Sequence, residues 1–95
     1  MNVVHTCHAW TCDRTCPPAM LMCYRCWQTV SSATQAEVYR TVKLRGKRTD
    51  RTWAPWWRAQ AQACAEAAAA AGMHPDLIES RLAATLQTAV LLERK

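Results

Sequence analysis

Phenylalanine is absent from this 95-residue chain, and glycine occurs only at Gly46 and Gly72. Two isolated glycines cannot build a glycine-rich phosphate-cradling loop, and the seven carboxylates are too sparse to suggest an acid–base pair. Ser31, Ser32 and the three histidines sit in no nucleophile motif, so the chain is not expected to be an enzyme. No apolar run approaches the roughly 18 to 20 residues of a membrane span, since Arg58, Gln60, Gln62 and Glu66 interrupt the Ala-rich stretch. A soluble protein without membrane contact is expected. The first five residues carry neither a basic start nor an apolar core of a secretory signal, which points to the reducing cytosol.

Much of the 51% apolar composition is alanine, which buries little area per residue, so five tryptophans must supply bulk to a thin core. A small core of this kind benefits from a metal staple. Five of the six cysteines fall between Cys7 and Cys26, and an odd number in one cluster suits four metal ligands plus a spare better than paired disulfides. Zinc takes four soft or borderline ligands in a tetrahedron, and cysteines separated by two to four residues can aim both sulfurs inward from one turn. Cys23 and Cys26 have two residues between them, Cys7 and Cys12 four, and Cys12 and Cys16 three. The preferred ligand set is Cys7, Cys12, Cys23 and Cys26 on one structural Zn2+, with Cys16 left as a thiol; Cys12 with Cys16 is the runner-up, and His5 and His8 are substitutes. Four thiolates close the coordination sphere, and no Glu lies in the knuckle to act as a base. Cys64 stands alone among alanines and reads as core.

The fold class expected is mainly α with a small N-terminal zinc knuckle, a short helix and then an antiparallel helical hairpin. Residues 1–30 form the knuckle and 31–95 a helical segment packed on it, one domain overall. Ser31-Ser32 caps a helix through about Leu44, with Glu37 near its first turn, Val38, Val42 and Leu44 as its apolar stripe, and Gly46 as its end. The polar stretch 47–52 reads as a loop, and a second helix starts at about Trp53 or Pro55. Trp53, Trp57, Ala61, Cys64, Ala68 and Ala71 recur on one face of that helix, and Gly72 terminates it. Pro75 and Asp76 open a third helix to about Glu93, with Ile78, Leu82, Leu86, Ala89 and Val90 facing inward.

Charge is concentrated. Between residues 40 and 58 lie Arg40, Lys43, Arg45, Lys47, Arg48, Arg51 and Arg58 against Asp50 alone, whereas the whole chain is +5. A basic segment beside a zinc knuckle suits nucleic acid, with Arg40, Lys43, Arg45, Lys47, Arg48 and Arg51 as the phosphate contacts. Trp53, Trp56 and Trp57 are candidate partner-binding residues, either stacking on bases or anchoring a protein partner. The alternative reading is therefore a module that binds a host protein, or forms a homodimer, through its Trp-rich face.

The pattern Cys7-His8-Ala9, Cys12, Pro17-Pro18, Met22-Cys23 and Cys26-Trp27, with a looser match through Val38-Tyr39 to Gly46, resembles a family of small, mostly uncharacterised zinc-binding accessory proteins of tailed bacteriophages and prophages. About half the chain is covered. That family typically has His where this chain has Cys26, Gly at Thr11 and an apolar residue at Cys16. The resemblance implies a zinc-binding accessory protein in the cytoplasm of a bacterial host cell, with no established biochemical activity attached; action on transcription or DNA processes is the expectation that the basic segment adds.

Overall fold

Alanine is the best helix former and its methyl side chain lets neighbouring backbones come close, so an alanine-rich helix can be covered on several sides. The third helix of this fold does that. The computed structural model describes residues 5–16, 21–45 and 50–93. In chain order these are a two-residue ladder of β1 (His5–Thr6) and β2 (Thr15–Cys16), then α1 (Tyr24–Trp27), α2 (Ser32–Arg45), α3 (Asp50–Ala70) and α4 (Pro75–Glu93). The described chain is mainly α, as expected. The ladder is antiparallel, pairing His5 with Cys16 and Thr6 with Thr15, and it closes the base of the cysteine loop.

α3 is the central element and packs against α1, α2 and α4. Successive faces of it are closed. Ala59, Ala63, Ala67 and Cys64 join Val30 and Val38 and the knuckle residues Cys7, Ala9, Cys16, Met22 and Cys23 in one continuous core. Trp10, Leu21 and Trp27 lean on that core from the rim. Ala54, Ala61, Ala65 and Ala68 of α3 are also buried, as is Ala89 of α4, the helix that packs against α3. The single stripe expected on this helix was too narrow. Ala71 lies exposed beyond the helix end, while Ala54, Ala59, Ala63, Ala65 and Ala67 are inside. In a run of alanines, hydrophobic periodicity carries little information about which side faces the core.

The helix ends have identifiable causes. At the end of α3 the N–H of Met73 donates to Ala68 O at 3.0 Å and that of Gly72 to Ala69 O at 3.1 Å, a Schellman closure, with Gly72 at φ 89. The turn reverses the chain into α4, giving the helical hairpin that the short link predicts. α4 spans Pro75–Glu93, the expected limits, and Ile78, Leu82, Leu86 and Val90 are half-buried along it.

Two helix expectations change. α3 begins at Asp50, inside the stretch read as loop, so Pro55 lies within the helix instead of in its first turn. Proline at this sixth position has no N–H for the carbonyl four residues earlier, which weakens the opening turn without ending it. In α2, Val38 is buried but Val42 is exposed, and Thr41 occupies the inward position at 0% exposure. Thr41 is compatible with burial because its hydroxyl donates to Glu37 O at 2.8 Å. The side chain of Leu44 lies outside the described residues.

Candidate metal centre and basic groove

The cysteine site is assembled from two turns. The first is the loop between β1 and β2, where Cys7 N–H donates to Arg14 O at 2.7 Å and Cys12 N–H to Ala9 O at 3.2 Å, folding Cys12 back toward Cys7. The second is the start of α1: Cys23 precedes the helix in an extended conformation, and one helical turn places Cys26 beside it, with Trp27 N–H on Cys23 O at 3.0 Å. His8 N–H to Leu21 O at 3.2 Å ties the two turns together.

The ligand atoms of Cys7, Cys12, Cys23 and Cys26 all lie within 4.8 Å of one another. A tetrahedron with metal–sulfur bonds of about 2.3 Å has edges of about 3.8 Å. The Cys12 and Cys23 sulfurs are 3.8 Å apart, and none of the six cysteines is in a disulfide. The donor set is therefore compatible with a metal site. Cys7 and Cys23 are buried against the core, while Cys12 and Cys26 are half-buried toward the rim.

The electrostatics suit a cation. The Cys26 backbone N–H, together with the thiols of Cys26, Cys12 and Cys7, draws the Cys23 thiol down to about 6 against the opposing effect of burial. The Cys23 backbone N–H in turn donates to Cys7 Sγ at 3.3 Å. Burial nevertheless pushes Cys7 up, and burial together with hydrogen bonds donated to Cys23 pushes Cys26 up. A divalent ion held by the four sulfurs would displace their protons.

Cys16 is outside the set of four. It is buried on β2, and burial followed by the neighbouring charges of Cys7, Cys23 and Cys12 raises its thiol. The runner-up pairing of Cys12 with Cys16 is not the arrangement found. His8 has its backbone in the knuckle, but its Nδ1 is 3.3 Å from Gln60 Nε2 on α3, and its carbonyl accepts from Cys64 Sγ at 3.2 Å. His8 and Cys64 thus connect the knuckle to α3. Burial drives the Cys64 thiol to about 12, as expected for a core group and not a nucleophile. The side chain of His5 lies outside the described residues.

Gln60 was read as a polar interruption of the alanine run, yet it is 6% exposed, and its Oε1 has no hydrogen-bond partner among the described residues. Turning the amide end for end would satisfy that oxygen only if His8 Nδ1 carries the proton.

No protein-family model matches the chain, and neither a curated protein nor a solved structure does.

Of the basic residues singled out, Arg40 and Lys43 are exposed on α2, and Arg40 pairs with Glu37 one turn earlier. Lys47 and Arg48 lie outside the described residues, as do the side chains of Arg45 and Arg51. The structure adds a neighbour to Arg40. A groove of about 330 Å³ between α2 and α3 is lined by Glu37, Arg40, Pro55, Arg58, Ala59 and Gln62, so two arginines from different helices share it. Trp56 and Trp57 are half-buried, with centroids 5.4 Å apart at 69°. The Trp53 side chain lies outside the described residues. Tyr24 and Tyr39, which sequence reasoning passed over, are 68% and 61% exposed. The available signal was Tyr39 four residues before Lys43, which puts an aromatic and a cation on one helical stripe.

Proposed function

We propose that the protein is a zinc-stabilised, mainly helical protein that binds nucleic acid. The observation that carries the proposal is the convergence of four cysteine sulfurs within 4.8 Å at a site sharing its core with α3, one of the two helices joined by the basic segment. Zinc is the ion favoured because four cysteine sulfurs are a common structural donor set for it, and iron is the main competitor for such a set. Such an ion would hold the knuckle's shape. With four protein ligands, it leaves no coordination position for substrate.

The binding half of the proposal is supported by charge. Arg40, Lys43 and Arg45 lie on α2, Arg51 and Arg58 on α3, and Lys47 and Arg48 fall in the sequence between them, so the basic residues cluster along two packed helices, with Glu37 paired to Arg40 in the groove between them. Phosphate neutralisation by such a cluster releases condensed counterions and makes affinity fall steeply with salt. No described helix is long and apolar enough to cross a membrane. The proposal includes a phage accessory role in the bacterial host cytoplasm on the strength of the motif resemblance, and action on transcription or DNA processes on the strength of the basic segment.

A second reading, in which the chain binds and redirects a host protein or pairs with a second copy, is favoured by Leu77 and Leu91, exposed on α4 at 58% and 53%. Replacing Arg45, Lys47 and Arg48 together by Ala tests the first. The triple variant is expected to keep its fold and metal content while losing affinity for DNA and flattening the dependence on salt by about one unit of slope per phosphate contact removed. Unchanged DNA affinity in the variant rejects the basic segment as the contact, and absence of DNA binding by the wild type rejects nucleic acid; salt-tolerant capture of one protein from a nuclease-treated bacterial lysate would then favour the second reading.

A further inference from the structure

Tyr39 is 61% exposed on the outer surface of α2, and its ring meets Trp27 of α1 at 5.7 Å and 77°, an edge-on contact that braces it while leaving most of the residue in solvent. Gln35 on α2 donates from its side chain to Trp27 O at 2.9 Å, so the α1–α2 contact that positions the two rings is itself fixed. On α1, Tyr24 stands three residues before Trp27, on a neighbouring part of that helix surface, and is 68% exposed. Cations accompany these rings: Arg25 is exposed beside Tyr24 and Lys43 lies one turn further along the Tyr39 stripe, while Arg40, next to Tyr39, is held in its ion pair with Glu37.

Exposed aromatic faces alternating with cations are the elements of a surface for unpaired bases: the rings stack on bases and the cations follow the phosphates. A duplex presents its phosphates to such a surface but keeps its base faces stacked inside. We infer that this patch is a stacking platform for single-stranded nucleic acid, with Tyr39 as its central ring. The inference rests on the nucleic-acid reading above and specifies the form of nucleic acid. Tyr39, rather than Trp56 or Trp57, is the ring assigned to a base, since both tryptophans are half-buried.

The test is fluorescence anisotropy with a short labelled oligo(dT), free or annealed to oligo(dA), using the metal-loaded full chain and its Tyr39→Ala and Tyr39→Phe variants. Circular dichroism and metal content establish that each variant is folded. Tyr39→Ala is expected to weaken binding of the single strand about tenfold and of the duplex less than about twofold, whereas Tyr39→Phe, which keeps the ring, stays within about twofold on both. Single-strand binding by Tyr39→Ala at wild-type strength, or an equal loss on strand and duplex, overturns the platform while leaving nucleic-acid binding in place. Failure of the wild-type protein to bind either probe overturns both.

Discussion

The side chain of Glu66, toward the C-terminal end of α3, accepts the backbone N–H of Ser31 at 2.7 Å and the hydroxyl of Thr34 at 2.5 Å, 35 and 32 residues earlier in the chain. Ser31 Oγ already accepts the Thr34 N–H at 3.3 Å, the usual N-cap bond. In a local capping box the reciprocal carboxylate stands three residues into the same helix. Here Thr34 occupies that position and another helix supplies the carboxylate, so one interaction caps α2 and fastens it to α3. The acidic residue expected near the first turn, Glu37, instead pairs with Arg40. Glu66 also places negative charge at the positive end of α2.

Replacing Glu66 by Ala should therefore destabilise the protein by about 1 to 3 kcal/mol, since it removes one partner and leaves donors of the cap unpaired. Urea unfolding of the metal-loaded protein measures this. A change under about 0.5 kcal/mol would mean that water substitutes for the carboxylate.

The same group predicts an acid limit. Burial raises the Glu66 carboxyl, but the Thr34 hydroxyl, the Ser31 N–H and the Gln62 amide outweigh it, and the net pKa lies below the ordinary glutamate value. A carboxyl with a depressed folded pKa contributes stability that is present above its unfolded value and lost as pH falls through its folded value. Between pH 5 and pH 3 the wild type should thus lose stability faster than Glu66→Gln at fixed metal loading. Parallel curves for the two proteins would remove Glu66 from the acid response.

Removal of one ligand should separate the four converging cysteines from the fifth. Cys12→Ser is expected to lose stoichiometric metal, whereas Cys16→Ser retains it, as read by elemental analysis of freshly purified, reduced protein. Metal binding contributes about 10 to 16 kcal/mol of apparent folding free energy in small fingers, so chelation should lower the unfolding temperature of the wild type strongly and that of Cys12→Ser hardly at all. Equal metal content in the two variants would reject the assigned ligand set.

Ala63 is at 0% exposure in the core shared by α3 and the knuckle. Ala63→Leu should cost about 1 to 3 kcal/mol through overpacking, and it should also weaken metal retention against a competing chelator by shifting the platform on which Cys7 and Cys23 rest. Loss of stability with unchanged metal retention would show that the knuckle holds its shape independently of α3.

Gly72→Ala isolates backbone strain, because an added Cβ would meet nothing within 4 Å while φ is +89°. The expected penalty is roughly 1 to 2 kcal/mol, from a left-handed conformation alone. Thermal unfolding should show a fall of several degrees for a chain of this size. No change in the midpoint would mean that the turn relaxes out of that conformation.

What the sequence determined by itself was local chemistry. Ser31 marked the start of α2, and Gly72, Pro75 and Asp76 marked the turn into α4, because caps and breakers act through their own backbone or that of residues a few positions away. The cysteine spacings likewise identified two ligand turns. Tertiary structure decided which turns shared a site and which faces of α3 were covered. Cys12 joins Cys7 because the ladder of His5–Thr6 with Thr15–Cys16 closes the loop that carries both, and no spacing rule separates Cys7 from Cys16 as the partner of Cys12. The alanines of α3 have almost equal side chains, so only the elements packed around the helix distinguish one face from another. The link from Glu66 to Ser31 crosses 35 residues, and its hydrogen bonds exist only once α2 and α3 have come together.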